Sequence, residues 1–325
     1  MLDTFLTKIQ LDSIFYQQVG ILLVAMLLAQ FISVPRRKQP LYHFEQLAIS
    51  FSQKVNHPNR SANQRIIAGT LAAISLVFPL WIVVIFLIEL SIYPWFFEVL
   101  ILFACMLDNG FSKTSSQIEQ QLNQQNNAQA KKLLALWCQR DTNKLSAIGI
   151  SKACIEKMAE LGSTNIIVVF GYLLGGTYLA VLLKMLKQLG LAWPSSNPHF
   201  HKFNALIHKI NRIVLYVPNI AWSFLLLEPC KIRSWQLFFT KIIPFEMSGC
   251  NTLNMSLLAF RLNIELGGPR IYNAIKVSIN KIEYGKLPSI SDINKTVNIF
   301  ELSNLIIISI TMLTAVINFY LEALT

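Results

Sequence analysis

"IIAGTLAAISLVFPLWIVVIFLI", residues 66–88, runs for 23 residues without a single charge. A helix needs about 20 mostly apolar residues to cross the hydrocarbon core of a bilayer. This stretch satisfies both length and composition, so it assigns the chain to the α-helical membrane class. Five further apolar runs flank it. Ile92–Leu107 carries one charge, Glu98, and begins beside Pro94, so it pairs with the first run as a helical hairpin. Leu302–Leu321 and Ile166–Leu183 are clear spans, and Val19–Val34 can be extended by the uncharged polar stretch before it. Ile213–Leu227 is short and contains Pro218. The expected fold is all-α, a polytopic integral membrane protein with about five to six transmembrane helices in one membrane domain over residues 1–325.

The whole-chain composition agrees. Of 325 residues, 54% are hydrophobic, 14% are charged and the mean hydropathy is +0.48. A soluble domain carries about 25% charged residues. No short basic n-region, apolar h-region and small-residue cleavage site opens the sequence, so no cleaved signal peptide is expected. Cys105, Cys138, Cys154, Cys230 and Cys250 are widely spaced and read as free thiols.

The net charge of +11 is distributed by topology. Segments 35–65, 109–164 and 231–300 hold 22 Lys/Arg, and the alternating segments hold six. The positive-inside rule then places those three segments in the cytoplasm and both termini outside. The charge surplus needs no nucleic-acid partner, and none is expected. Five of the six residual positives lie between 184 and 212, where "HFHKFNALIHKINR" (199–212) interleaves basic and apolar residues as an interfacial helix would.

The cytoplasmic segments carry the polar chemistry. "SQIEQQLNQQNNAQAKKLLALW" (116–137) is expected to be helical, with Leu122, Ala128 or Ala130, Leu133 and Leu136 on one face. Asp141 or Thr142, and then Ser151, are candidate N-caps. Glu156 and Glu160 stand at i and i+4, on one helix face just before a span. Such a pair can hold Mg²⁺, which characteristically bridges to substrate phosphates; spacing alone favours the plainer reading, a solvated face beside Lys152 and Lys157. "LGGPRIYN" (266–273) is a tight turn: two glycines admit positive φ, and the proline blocks helix continuation. There is no P-loop or Rossmann glycine pattern. No Gly-x-Ser-x-Gly elbow appears. His199 and His201 have no carboxylate near them in sequence, which argues against a zinc site.

The order of these elements resembles the CobD/CbiB family of cobalamin-biosynthesis membrane proteins, the adenosylcobinamide-phosphate synthases. "RDTNKL" (140–145) followed by "ISKACIEKMAELGSTN" (150–165) is similar to the family's Arg-Asp-Thr motif and the Ala-x-x-Glu-Ser-x-Ala-Glu-Asn-x-x-Asp-Gly segment after it. "RLNIELGGPRIYN" (261–273) resembles its Leu-Gly-Gly-Pro-x-x-Tyr motif. "LYVPNIAW" (215–222), "ISDINKTVNIFELSNLIIISI" (290–310) and "NHPNRSANQRIIAGTLAAI" (56–74) fall in the family's order, over about residues 18–321.

The resemblance implies ATP-dependent amide formation between adenosylcobyric acid and an aminopropanol or its phosphate, in the inner (plasma) membrane of a bacterium. Its implied catalytic residues are Arg140, Asp141, Thr142 and Arg270. Ser163, Gly267, Gly268, Pro269 and Tyr272 would bind substrate, and Glu156 and Glu160 would bind Mg²⁺ alongside ATP. Implied partners are membrane lipids, the corrinoid and other proteins of the pathway. Several polar positions of the family are apolar here: Leu161 stands where it has Asn, Leu182, Leu183 and Met185 where it has Asn-Thr-x-Asp, Leu253–Asn254–Met255 where it has Trp-Pro-Glu, and Asn211–Arg212 replaces Asp-Asp. These exchanges imply a drier interior. They favour a second reading, a non-catalytic membrane scaffold or signalling protein of the AmpE type. A transporter is disfavoured, because no charge lies at the middle of a span.

Overall fold

The computed structural model describes residues 14–242 and 249–324; residues 1–13, with Lys8, residues 243–248 and residue 325 lie outside the described residues. The chain opens with α1 (Ile14–Phe31), then α2 (Pro40–Val55) after a 3-10 turn at Arg36–Lys38. The charge-free run that identifies the class lies within α3 (Ala62–Glu89). A capping box starts this helix: Ser61 Oγ accepts the Gln64 N–H at 3.3 Å, and Gln64 Oε1 accepts the Ser61 N–H at 3.1 Å. One face of α3 buries Gly69, Ala72, Ala73 and Val77, small residues that let neighbouring helices approach. The opposite face exposes Ile67, Leu71, Ile74 and Phe78, a stripe with helical spacing that only lipid would cover well.

The return helix is α4 (Pro94–Met106), with proline at its first position, and α5 (Gly110–Asn123) continues it after a 3-10 turn. Next come α6 (Asn127–Ala135), α7 (Ala147–Leu161) and α8 (Thr164–Ala192). Four short helices follow: α9 (Ala205–Val214), α10 (Tyr216–Leu226), α11 (Ile232–Ile242) and α12 (Gly249–Leu262). The chain ends in α13 (Ser291–Leu324). Between α12 and α13 lie four strands of two or three residues, β1 (Glu265–Leu266), β2 (Arg270–Tyr272), β3 (Ile275–Val277) and β4 (Ile282–Glu283). They pair antiparallel as β1–β4 and β2–β3. The architecture is an all-helical, membrane-type one with a small β flap.

Among the described residues, four helical runs have the length and apolarity to cross a membrane: Ala62–Glu89, Pro94–Asn123, Ala147–Ala192 and Ser291–Thr314. Tyr16–Phe31 is a shorter apolar helix. The expected span Ile213–Leu227 is absent as a span. It is divided between α9 and α10, which break at Leu215, and α10 has only 11 residues. That is about 16 Å of helix, half of a hydrocarbon core.

The Ile166–Leu183 run is helical but not straight. Gly175 and Gly176 have non-helical dihedrals, Gly176 at φ +64°, and the chain reverses there. A Cβ added at Gly171 would lie 2.7 Å from the Cα of Ala180. In a straight helix those positions are about 13 Å apart. At the open end, Lys187 Nζ donates to Ser163 Oγ at 2.9 Å and Thr164 Oγ1 at 3.1 Å. Residues 164–174 and 177–192 are therefore two antiparallel arms of a hairpin. Apolarity alone cannot distinguish such a hairpin from one span, since both bury the same side chains.

Two further expectations shift. Residues 116–137 are helical but in two pieces, because Gln125 adopts φ +59° between α5 and α6. The break resets the inward face: Ile118, Leu122, Ala130 and Leu134 are buried, while Leu133 and Leu136 only pack against that core. The N-cap of α7 is Ser146, which accepts the Gly149 N–H at 3.2 Å, rather than Asp141, Thr142 or Ser151. Ser151 sits inside the helix and donates back to the Ala147 carbonyl.

Two apolar cores result. One joins α5–α7 with α10, α12, α13 and the flap; the other joins α1–α4 with α8 and α9. Leu161 belongs to the first, Met185 to the second, and Leu183 packs with Ile167 and Leu215 between the hairpin arms and α9. At those positions the interior is dry, as their side chains imply.

Candidate active site

The site forms where the flap closes on α7. Strand β1 ends at Gly267 and Gly268, with φ +75° and +90°. A side chain at Gly267 would collide with the Asn280 carbonyl. Only glycine accepts this path, and its product is specific: the Gly267 N–H turns toward α7 and donates to Glu156 Oε1 at 2.8 Å. Strand β2 follows at once. It pairs with β3 through Asn273 and Ala274, both at positive φ, as a two-residue hairpin turn requires. Lys152 on α7 reaches Glu265 of β1 at 3.0 Å and clamps the flap from its other edge.

Glu156 is the centre. It is 5% exposed, and its Oε2 accepts from Arg270 and forms an ion pair with Arg140, each at 3.0 Å. Arg140 arrives from the loop before α7, which the flap holds through the Asp141 N–H to the Ile271 carbonyl at 3.0 Å. Asp141 Oδ1 accepts the Asn143 N–H at 2.9 Å, a local turn that shapes the same loop. One buried carboxylate thus holds two guanidiniums from opposite walls.

Those walls enclose a pocket that also contains Lys157, Glu160, Tyr272 and Ser196. Glu160 pairs with Lys157 at 3.0 Å and keeps 34% of its side chain exposed. Ser196 Oγ and Tyr272 Oη are hydrogen-bonded at 2.9 Å, closing the far side. Three cations oppose two carboxylates in this lining, so the pocket favours an anionic ligand. Burial alone would lower the Arg270 pKa, but the Glu156 carboxylate overrides it and holds the guanidinium above its usual value. Burial pushes the Cys138 thiol up, against the pull of Arg140, which keeps it protonated and a poor nucleophile.

The donor set suits phosphates better than a bare cation. Both oxygens of Glu156 are already committed to N–H donors. Among the described residues no three His, Cys, Asp or Glu side chains gather as metal ligands. Glu160 alone offers a partly open carboxylate, which fits Mg²⁺ arriving with phosphates rather than Mg²⁺ held in a protein cage.

Of the residues singled out by sequence, Arg140, Glu156, Glu160, Arg270 and Tyr272 line one pocket, and the Gly267 N–H holds one of them in place. Asp141 shapes the loop, Thr142 is buried with its carbonyl accepting the Leu145 N–H, and Gly268 and Pro269 carry the turn. Ser163 faces Lys187 at the open end of the hairpin. Lys157, Gln139 and Ser196 were not singled out. Lys157 and Gln139 adjoin the motifs directly, whereas Ser196 has no local signal.

A buried ion network behind the pocket also escaped sequence reading. Arg36 donates to Glu45 at 2.5 Å and Asp108 at 3.0 Å, and its guanidinium lies 4.2 Å from the Trp137 ring centroid. Lys184, fully buried, closes on Asp108. Glu45 also accepts from Gln188 at 2.8 Å and from Gln139 at 2.7 Å, next to Arg140. These partners come from α2, α8, the 3-10 turns and the pocket loop, so no sequence spacing announces them.

Comparison with known proteins gives the family. Residues 22–300 match the family model described as CobD/Cbib protein. The cobalamin biosynthesis protein CobD of Stutzerimonas stutzeri is 26% identical over 274 residues, 80% of this chain and 84% of its own length. The CobD protein of Listeria monocytogenes is 28% identical over 203 residues, 60% of this chain and 64% of its own. The cobalamin biosynthesis protein CbiB of Salmonella choleraesuis is 24% identical over 218 residues, covering 64% and 68%. No solved structure matches. The Arg-Asp-Thr loop, the Glu156 helix and the Gly-Gly-Pro turn lie within the matched range and meet at one carboxylate: the chain belongs to the CobD/CbiB family of cobalamin biosynthesis.

Proposed function

We propose that this protein catalyses the amide-forming step implied by its family resemblance, joining a carboxylate of adenosylcobyric acid to the amine of aminopropanol or its phosphate at the expense of ATP. The observation that carries this reading is the pair Arg140 and Arg270 anchored on one buried carboxylate beside a pocket with excess positive charge. In the reaction, a substrate carboxylate oxygen attacks the γ-phosphorus, giving an acyl phosphate and ADP. The amine nitrogen then attacks the acyl carbon, inorganic phosphate leaves, and the amine gives up a proton. Charge builds on phosphoryl oxygens throughout, and pre-placed guanidiniums stabilise it without reorganising. Arginine suits this because its planar fork binds two oxygens at once. The amine proton passes to solvent, and Lys157 beside Glu160 supplies a further positive contact. Mg²⁺, when bound, would neutralise phosphate charge, with Glu160 as its protein ligand. Tyr272 and Ser196 would orient the polar rim of the substrate.

The dry packing of Leu161, Leu183 and Met185 supports the competing scaffold reading, in which the same fold is kept without turnover. Purified protein incubated with adenosylcobyric acid, ATP, Mg²⁺ and aminopropanol phosphate distinguishes the two. Stoichiometric ADP and amide product are expected. If correctly inserted wild type makes no product and fails to restore cobalamin synthesis to a strain lacking its synthase, the scaffold reading stands instead.

A further inference from the structure

We propose that residues 164–192 form a re-entrant hairpin, entering and leaving the bilayer on one face, so that every wall of the pocket lies on the cytoplasmic side. Three independent observations carry this.

The first is the reversal itself. Ser163 and Lys187 are hydrogen-bonded at the open end, and Gly171 meets the backbone of Ala180 nearer the tip. The tip is seated against the α3–α4 hairpin. Tyr172 and Thr177 hydroxyls donate to Glu98 at 3.4 and 3.1 Å, Tyr178 Oη donates to Glu89 at 2.5 Å, and Trp81 Nε1 donates to the Tyr178 carbonyl at 2.9 Å. The reversal itself stays exposed at Gly175 and half-exposed at Gly176. Irregular backbone is not tolerated facing hydrocarbon, so the seat on the Glu89 and Glu98 carboxylates holds the tip outside the acyl layer. Leu173 and Leu174 are 60% and 64% exposed and add apolar surface just before the turn.

The second is the pocket. Ser196 and Pro194, which follow the hairpin, line it with Arg140, which precedes the hairpin, and with Tyr272. A single crossing by residues 166–183 would put Ser196 and Arg140 on opposite faces, and the Ser196–Tyr272 hydrogen bond could not form.

The third is charge. Six alternating spans strand five Lys/Arg between 184 and 212 on the wrong face. With the hairpin re-entrant and α10 too short to cross, only α1, α3, α4 and α13 cross among the described residues. Every one of the 28 Lys/Arg except Lys8 then lies on one side. The positive-inside rule makes that side the cytoplasm.

The test uses full-length protein in which all five native cysteines, Cys105, Cys138, Cys154, Cys230 and Cys250, are replaced by alanine or serine. Single cysteines go in at Lys202, after the hairpin, at Lys144, before it, and at Ile92, between α3 and α4; all three sites are exposed. A membrane-impermeant maleimide is applied to intact cells and to inverted vesicles. Lys202→Cys and Lys144→Cys should both label only in inverted vesicles, and Ile92→Cys only in intact cells. Labelling of Lys202→Cys together with Ile92→Cys overturns the proposal. A cross-linking arm covers misfolding of that variant. Ile167 and Leu183 pack together across the arms, whereas a straight helix would hold them about 24 Å apart. An Ile167→Cys, Leu183→Cys pair should therefore join with a bis-thiol reagent shorter than that span. Absence of the cross-link in protein whose Lys144 and Ile92 sites label correctly also overturns it.

Discussion

Glu156 Oε2 faces Arg140 and Arg270 at the same distance, and its other oxygen receives a backbone N–H, so the side chain is worth most where all three donors are counted together. Glu156→Ala strips two buried guanidiniums of their counter-charge and should cost about 3–5 kcal/mol, the range for breaking a buried pair. Glu156→Gln retains the acceptor for Gly267 and should lose clearly less. Thermal unfolding of the two variants in detergent checks the order; equal losses would mean that the charge is unimportant there. At Gly267 the problem is backbone strain. Gly267→Val at φ +75° should cost about 1–3 kcal/mol before its clash with Asn280 is added. Faster proteolysis within 263–287 is its expected signature. Glu265 gives a pH dependence. The Lys152 ammonium hydrogen-bonded to it holds its pKa below the usual carboxylate range, against a smaller effect of burial. A depressed folded-state pKa contributes stability above the unfolded pKa, and that contribution disappears as pH falls through the lower folded value. Amides of the flap should therefore gain hydrogen exchange, beyond the intrinsic rate, on acidification below the ordinary carboxylate range. Glu265→Gln should exchange at a raised level already near neutrality and flatten the acid limb.

At the scale of the element, the hairpin of α8 depends on glycine for two different reasons. Gly176 supplies the left-handed backbone of the reversal, and Gly171 supplies the closeness of the arms. Gly171→Leu inserts a branched side chain where even a Cβ meets Ala180 at 2.7 Å. Overpacking of this kind typically costs about 1–3 kcal/mol, and more where backbone must move. The variant should show a lower melting temperature and weaker cross-linking across the arms, while Gly20→Leu, with open space around its Cβ, should show neither. Unchanged melting and cross-linking in Gly171→Leu would rule out close arms. The break between α5 and α6 follows the same logic in a polar setting. Gln125 is forced to positive φ, and Asn126 then caps α6 by accepting the Gln129 N–H at 3.2 Å.

Across the whole molecule, Arg36, Glu45, Asp108 and Lys184 tie the membrane helices to the pocket loop through Gln139. Asp108 is 1% exposed and answers two cations. Asp108→Ala leaves both without that partner, and a loss of about 3–5 kcal/mol is expected. The effect should persist at high salt, because buried pairs are screened far less than surface ones. Melting of the variant in low and high salt measures both points; a loss abolished by salt would place the network at the surface. Because Glu45 also accepts from Gln139, weakening this network should loosen Arg140 without touching the pocket directly.

The amino-acid sequence by itself determined what depends on composition and local spacing. The charge-free run 66–88 makes the chain a helical membrane protein, because only helices and barrels satisfy their own backbone in lipid. The i, i+4 carboxylates predict a shared helix face, and the Gly-Gly-Pro turn predicts positive φ; both are seen. Arg140, Glu156 and Arg270 were legible as members of motifs. Only the tertiary structure decided that they meet, since their closeness comes from the flap folding over α7, and nothing within 140–156 encodes the approach of residue 270. The hairpin was illegible for a related reason. An apolar run of 18 residues, 166–183, has the same hydropathy whether it crosses or turns back, and a glycine pair within it permits reversal without requiring it. What requires reversal is the seat offered by Glu98, Glu89 and Trp81 on other helices, together with the hydrogen bond from Lys187 to Ser163. Those contacts exist only once the chain has assembled, and they bring Ser196 to Arg140's pocket.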